Sequence, residues 1–86
     1  RRYYQASPKH RQMGERGIKG TPMDLSDEDA QVALDKGIAY RRQIYSYYKG
    51  KYYEFQSDNA GTFHGYPILE KNVPKKALRQ LSNTNM

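Results

Sequence analysis

Ile44-Tyr45-Ser46-Tyr47-Tyr48-Lys49-Gly50-Lys51-Tyr52-Tyr53-Glu54-Phe55-Gln56 decides the fold. β-Branched and aromatic residues are dense on both sides of Lys49-Gly50, the pattern of two strands joined by a two-residue turn. Such a turn pairs Tyr48 with Lys51, and counting back pairs Ile44 with Phe55 and Tyr45 with Glu54. The same β-rich composition extends the first strand back to Tyr40. Past the second strand, Ser57-Asp58-Asn59-Ala60-Gly61 is rich in turn formers. A third strand then runs from Thr62 to Tyr66, and Pro67 ends it or holds it at a sheet edge. Counting through that turn pairs Gln56 with Thr62 and Glu54 with His64.

Upstream, Ser26 is a helix N-cap, with Asp29 three residues later and Asp27, Glu28 and Asp29 in the first turn, where the helix dipole favours acids. Lys36 and Gly37 close this helix in the usual C-terminal positions. Its buried stripe is thin: Ala30, Ala33 and Leu34. Downstream, Pro74 opens a short helix that places Ala77, Leu78 and Leu81 on one side. Residues 1–23 contain Gly14, Gly17, Gly20, Pro8 and Pro22 among mostly polar and charged residues. They form a basic arm that becomes ordered by docking on the sheet or on a partner. The expected architecture is one α+β domain over residues 1–86, with an arm (1–23) and a folded core (24–82). In it an N-terminal helix precedes a small twisted antiparallel sheet of three or more strands, and a short C-terminal helix follows.

Composition narrows the function. The 86 residues carry a formal charge of +6, only 36% are hydrophobic, and there is no Cys. Disulfide scaffolds and thiolate zinc sites are excluded. The aromatics are nine Tyr and two Phe with no Trp, and a ring with a hydroxyl suits a half-wet surface. No apolar run approaches the roughly 18 residues that cross a bilayer, so the chain is expected to be soluble. It starts at Arg1 without an initiator Met or the apolar stretch of a signal peptide, which points to an excised part of a longer protein. The two histidines, His10 and His64, are far apart, and no HxxxH or HNH-like cluster occurs, so no metal is expected. With no GxSxG, P-loop or dinucleotide fingerprint, no cofactor is expected either.

Side chains alternate faces along a strand. Ile44, Phe55 and Phe63 then form a row on a core face that both helices would cover. The opposite face carries Arg41, Gln43, Tyr45 and Tyr47, then Tyr52, Glu54 and Gln56, then Thr62, His64 and Tyr66. Tyr45, Glu54 and His64 would run straight across it. A carboxylate beside an imidazole can divide the work of base and acid with it in phosphodiester cleavage. An Arg nearby would neutralise the charge that builds on a pentavalent phosphorus. RNA needs little more, because its 2′-hydroxyl is an internal nucleophile. Basic residues interleaved with Tyr suit the same substrate, with Lys and Arg on phosphates and rings on unpaired bases. Arg1, Arg2, Lys9, Arg11, Arg16 and Lys19 in the arm, with Lys49 and Lys51 at the hairpin tip, supply an electrostatic footprint.

Several short segments carry a resemblance: Ser7-Pro8-Lys9-His10, Ile44-Tyr45, Gly50 to Gln56, Gly61-Thr62-Phe63-His64-Gly65-Tyr66-Pro67, and Val73-Pro74 before a Leu-bearing helix. Together they resemble the C-terminal toxin domains of bacterial polymorphic toxins of the contact-dependent inhibition and Rhs types. Ile44 to Tyr66 is also similar to the ribonuclease domain of the ribosome-cleaving colicins, although Gln56 and Asn59 stand near where those carry Asp and His. The resemblance implies a small metal-independent ribonuclease of the barnase, EndoU, colicin and RelE type, with the active site on the open face of an antiparallel sheet. His64 matches the His of the family's His-Gly-Tyr segment, and Lys9 with His10 its Pro-Lys-His segment. The resemblance further implies delivery as the C-terminal part of a larger bacterial protein, action in the target-cell cytoplasm, and a cognate, acidic immunity protein.

The expected function is endonucleolytic cleavage of tRNA or rRNA by 2′-hydroxyl transesterification. His64 is the expected acid or base, Glu54 or His10 its complement, and Arg41 and Lys9 the phosphorane stabilisers. Thr62, Tyr45, Tyr66, Gln56, Lys51 and Arg42 are expected to contact substrate. The alternatives are a non-catalytic RNA-binding module in which the tyrosines stack on bases, and an interaction domain whose basic surface meets an acidic protein.

Overall fold

A computed structural model of the chain describes residues 2–6, 23–57 and 61–84. The elements, in chain order, are β1 (Tyr3–Tyr4), α1 (Asp27–Lys36), β2 (Ile38–Tyr40), β3 (Gln43–Tyr48), β4 (Lys51–Ser57), β5 (Thr62–Ile68), a 3-10 turn (Glu70–Asn72) and α2 (Lys75–Thr84). The strands form one five-stranded sheet in the order β1-β5-β4-β3-β2. The α+β class is as expected. Neighbours from β2 to β5 are antiparallel, while β1 joins β5 in parallel, so the sheet is mixed.

The hairpin pairs as its sequence dictates: Ile44 opposite Phe55, Tyr45 opposite Glu54 and Tyr48 opposite Lys51. Lys49 (φ 51°) and Gly50 (φ 83°) both take the left-handed conformation that a type I′ turn needs. The expected single strand from Tyr40 to Tyr48 is instead broken at Arg41-Arg42. There a second two-residue turn returns the chain so that Tyr40 pairs with Gln43 and Ile38 with Tyr45.

The third strand corrects the register. β4 continues through Ser57, and the pairs flanking the connection are Ser57 with Phe63, then Gln56 with His64, Phe55 with Gly65 and Glu54 with Tyr66. Both ends of the connection move one residue along the chain, which shifts the pairing by two and keeps every side chain on its predicted face. The cause is steric. A Cβ built on Gly65 would lie 2.5 and 2.7 Å from ring carbons of Phe55, so the ring occupies the space above a residue that must be Gly. The expected register would have put Phe63 there. β5 also runs past Pro67 to Ile68; β1 pairs with Thr62 and Phe63, so among the described residues no strand flanks β5 at the proline on that side.

The two helices pack on opposite faces of the sheet, not on one. α1 begins at Ser26, whose side chain accepts a hydrogen bond from the Asp29 N–H (3.1 Å). It buries Ala33 and Leu34 against Ile44, Tyr53 and Phe55. Gly37 ends it without a left-handed turn; what requires Gly is close approach, since a Cβ there would lie 2.6 Å from Ile44 Cγ2 and 2.9 Å from the Tyr45 carbonyl oxygen. On the other face Ala77 and Leu81 of α2, with Val73, cover Tyr45, Tyr66 and Ile68.

β1 lies within the stretch read as an arm. Arg2 Nη1 donates to the carbonyls of Leu34 (2.8 Å) and Gly37 (2.9 Å) at the end of α1. The Gln31 amide brackets β1, accepting from the Tyr4 N–H and donating to the Arg2 carbonyl, both at 2.8 Å. The hairpin tip is tied to α1 and the segment before it: Lys49 pairs with Asp29 (3.0 Å), Lys51 pairs with Asp24, and the Tyr53 hydroxyl donates to Asp24 at 2.8 Å.

Gly65→Ala and Gly37→Ala are each expected to destabilise the fold by about 1–3 kcal/mol, the usual cost of overpacking, whereas Gly61→Ala acts only through its backbone angle; urea unfolding measures all three. Partial burial alone would raise the Asp24 carboxyl, but hydrogen bonds from Lys51 and Tyr53 and the Lys51 charge take it below its ordinary value. The stabilisation is therefore complete above the unfolded value of about 3.9 and is lost as pH falls from there through the folded value. Urea midpoints across that window should fall more steeply for the wild type than for Asp24→Asn.

Candidate functional site

Strand alternation places the expected residues of β3, β4 and β5 on the α2 face: Gln43, Tyr45 and Tyr47; Tyr52, Glu54 and Gln56; Thr62, His64 and Tyr66. α2 then divides that face. Tyr45 and Tyr66, expected to touch substrate, are 6% and 1% exposed under the helix and belong to the core. Gln43, Gln56, Thr62 and His64 remain half-buried at the end of the sheet. Gln43, Gln56 and His64 form one row across three strands, and Tyr45, Glu54 and Tyr66 the next. Glu54 thus faces Tyr66 rather than His64, because of the Phe55–Gly65 constraint on register.

Glu54 and His64 are diagonal neighbours on one face, a relation that separates residues by roughly 7–8 Å. This spacing changes what the pair can do. Directly opposed, a carboxylate and an imidazole bond each other; set diagonally, they are held apart, with the Gln56–Tyr66 hydrogen bond along the other diagonal of the same four residues. The Gln56 side chain holds the arrangement, its Nε2 donating to Glu54 Oε2 (3.0 Å) and to the Tyr66 hydroxyl (2.8 Å). The carboxylate is therefore fixed by an amide whose other partner is buried. Burial, with the Glu54 charge behind it, pushes the Tyr45 phenol up, so that ring stays neutral beside the carboxylate.

The row ends at the Arg41-Arg42 turn. Arg41 leaves the sheet face that strand alternation assigned to it and sits at φ 58°, a conformation that costs a non-Gly residue about 1–3 kcal/mol. Its guanidinium lies over the Tyr40 ring, 5.4 Å from the centroid. Hydrogen bonding to Arg41, and behind it the charges of Arg41 and Lys76, draws the Tyr40 phenol below its ordinary value. Arg42 joins Gln43, Gln56 and Ser57 around a surface cavity of about 430 Å³. The cavity thus combines one cation with two amides and a hydroxyl, a lining suited to a phosphate and a polar base edge.

Lys51, expected to contact substrate, is placed elsewhere, on the α1 face and paired with Asp24. His10 and Lys9 lie outside the described residues. Gln43 and Tyr40 were not singled out as site residues. Nothing in the sequence marks Arg41-Arg42 as a turn, since it lacks Gly, Asn, Asp and Pro, and without that turn Tyr40 has no defined position. Among the described residues no group of three or more His, Cys, Asp or Glu is placed to share a metal ion, and no helix is long and apolar enough to cross a membrane. Comparisons with protein families, curated proteins and solved structures return no match.

Arg41→Gly is expected to keep the stability of the fold or raise it by up to about 1–2 kcal/mol, from the relieved left-handed conformation; thermal unfolding checks this.

Proposed function

We propose that the chain is a metal-independent RNA endonuclease acting at the strip formed by His64, Gln56 and Gln43. The observation that carries this reading is the diagonal placement of His64 and Glu54 beside an arginine-lined cavity. In-line displacement at phosphorus needs its base and acid on opposite sides of the scissile phosphate, and the diagonal spacing sets the two groups apart, with the phosphate above the Gln56 amide. One of the pair takes the proton of the 2′-hydroxyl as its oxygen attacks phosphorus. The other protonates the departing 5′ oxygen as the P–O5′ bond breaks, leaving a 2′,3′-cyclic phosphate and a 5′-hydroxyl. Arg42, with Arg41 next to it, stabilises the charge on the phosphorane. The Gln56 amide positions Glu54, and Gln43 with Thr62 holds the nucleotide. The tRNA or rRNA substrate, the toxin role and an acidic immunity partner are proposed from the motif resemblance.

The test incubates the purified chain with total bacterial RNA in excess EDTA, beside His64→Ala. Discrete fragments ending in 2′,3′-cyclic phosphate, reduced about 10²–10⁴-fold in the variant, are the expected result, that being the usual contribution of a general acid or base. Intact RNA in both, with salt-sensitive binding, would replace catalysis with a non-catalytic RNA-binding module.

A further inference from the structure

Charge is partitioned across the sheet. α1 carries Asp27, Glu28, Asp29 and Asp35 against Lys36 alone, whereas α2 carries Lys75, Lys76 and Arg79 and no carboxylate. The hairpin lysines, Lys49 and Lys51, are paired with Asp29 and Asp24 on the α1 side. Among the described residues no carboxylate pairs with Arg41, Arg42, Lys75, Lys76 or Arg79. Arg41 lies over the Tyr40 ring, and Lys75, Lys76 and Arg79 are exposed to solvent.

Their arrangement is continuous. Ala77 and Leu81 face inward, which turns Lys75, Lys76 and Arg79 outward, and all three are exposed. Lys76 and Arg79 are one turn apart on the same side of the helix. Tyr40 packs against the cluster that Ala77 and Leu81 of α2 belong to, and it carries the Arg41 guanidinium over its ring. The series thus runs from the cavity at Arg42 through Arg41 and Tyr40 to Lys76 and Arg79. It has a local cost, because Lys75 and Lys76 stand in the first turn of α2, where the dipole favours acids and like charges crowd. Folding alone does not select that sequence. A violated local rule is the kind of conflict proteins keep where a surface has a job.

We propose that Lys76 and Arg79, with Lys75 beside them, form a backbone-binding track for single-stranded RNA, continuing from Arg41 and holding phosphates that flank the one at the His64 strip. The inference rests on the nuclease reading for its register relative to the scissile phosphate, and extends it to how a long substrate is gripped. The track reads phosphates and carries no base selectivity. It makes the affinity for long strands salt-dependent and leaves a dinucleotide, which is too short to reach α2, unaffected.

The test is a triple reversal, Lys75→Glu, Lys76→Glu, Arg79→Glu, which keeps the inward residues and puts acids where the helix dipole favours them, so loss of fold is not expected; circular dichroism checks this. Binding of a fluorescein-labelled 20-nucleotide single-stranded RNA is followed by anisotropy from low to moderate salt. Removing one neutralised phosphate should flatten the slope of log K against log salt by about 0.7, so removing up to three should flatten it by about 2. Lys36→Glu on α1 is the control and should leave the slope near wild type. Cleavage of a dinucleotide is measured alongside and should be equal in wild type and triple variant. A folded triple variant with the wild-type slope overturns the track. Total bacterial RNA left intact by both proteins in excess EDTA overturns the nuclease reading, and the binding slope then still decides the track by itself.

Discussion

The Phe55 ring occupies the volume in which residue 65 would carry a side chain, and much of the molecule depends on that contact. It sets β4 against β5 in a register that leaves the ring room. That register brings Ser57 opposite Phe63, places His64 beside Gln56, and puts Gly65 rather than Phe63 under Phe55. Gly37 plays the matching part on the α1 side, where the helix end comes within contact of Ile44 and the Tyr45 carbonyl. Two missing side chains therefore position the sheet against itself and against its first helix. Protein interiors close-pack, so such positions admit no larger residue without a shift of backbone.

From this frame the site takes its character. With the sheet covered on both faces, its end near the Arg41-Arg42 turn leaves Gln43, Gln56, Thr62 and His64 within reach of solvent. The groups collected there are a histidine, a carboxylate held by an amide, and a turn bearing two arginines in strained geometry. Strain of this kind persists where surrounding structure over-determines it. Here the pairs Tyr40–Gln43 and Ile38–Tyr45 hold both arms of the turn.

What was legible in the sequence had local causes. The Ser26 cap, the Ala30-Ala33-Leu34 stripe, the Lys49-Gly50 turn and the first hairpin register each follow from residues within a few positions of one another, and the structure reproduces them. The face assignment of β5 survived because an error of two residues preserves strand parity. What failed was non-local. The pairing partner of His64 depends on Phe55 meeting Gly65, which no count through the intervening turn reveals. The Arg41-Arg42 turn carries no turn residues and is imposed by the strands around it. β1 is only two residues long and depends on Gln31 and on the end of α1, some thirty positions away. The two faces look alike in a strand pattern until the helices are assigned, so one amphipathic helix on each side was not distinguishable from two on one.

The separation of charge between the helices has a consequence at a distance. With acids gathered on α1 and cations on α2 across a thin sheet, the described residues form an electric dipole. In the field of a polyanion such a dipole feels a torque that favours presenting α2, within the Debye length of about 8 Å at physiological salt. Orientation, ordinarily the step that holds association rates far below the diffusion limit, is then partly completed during approach.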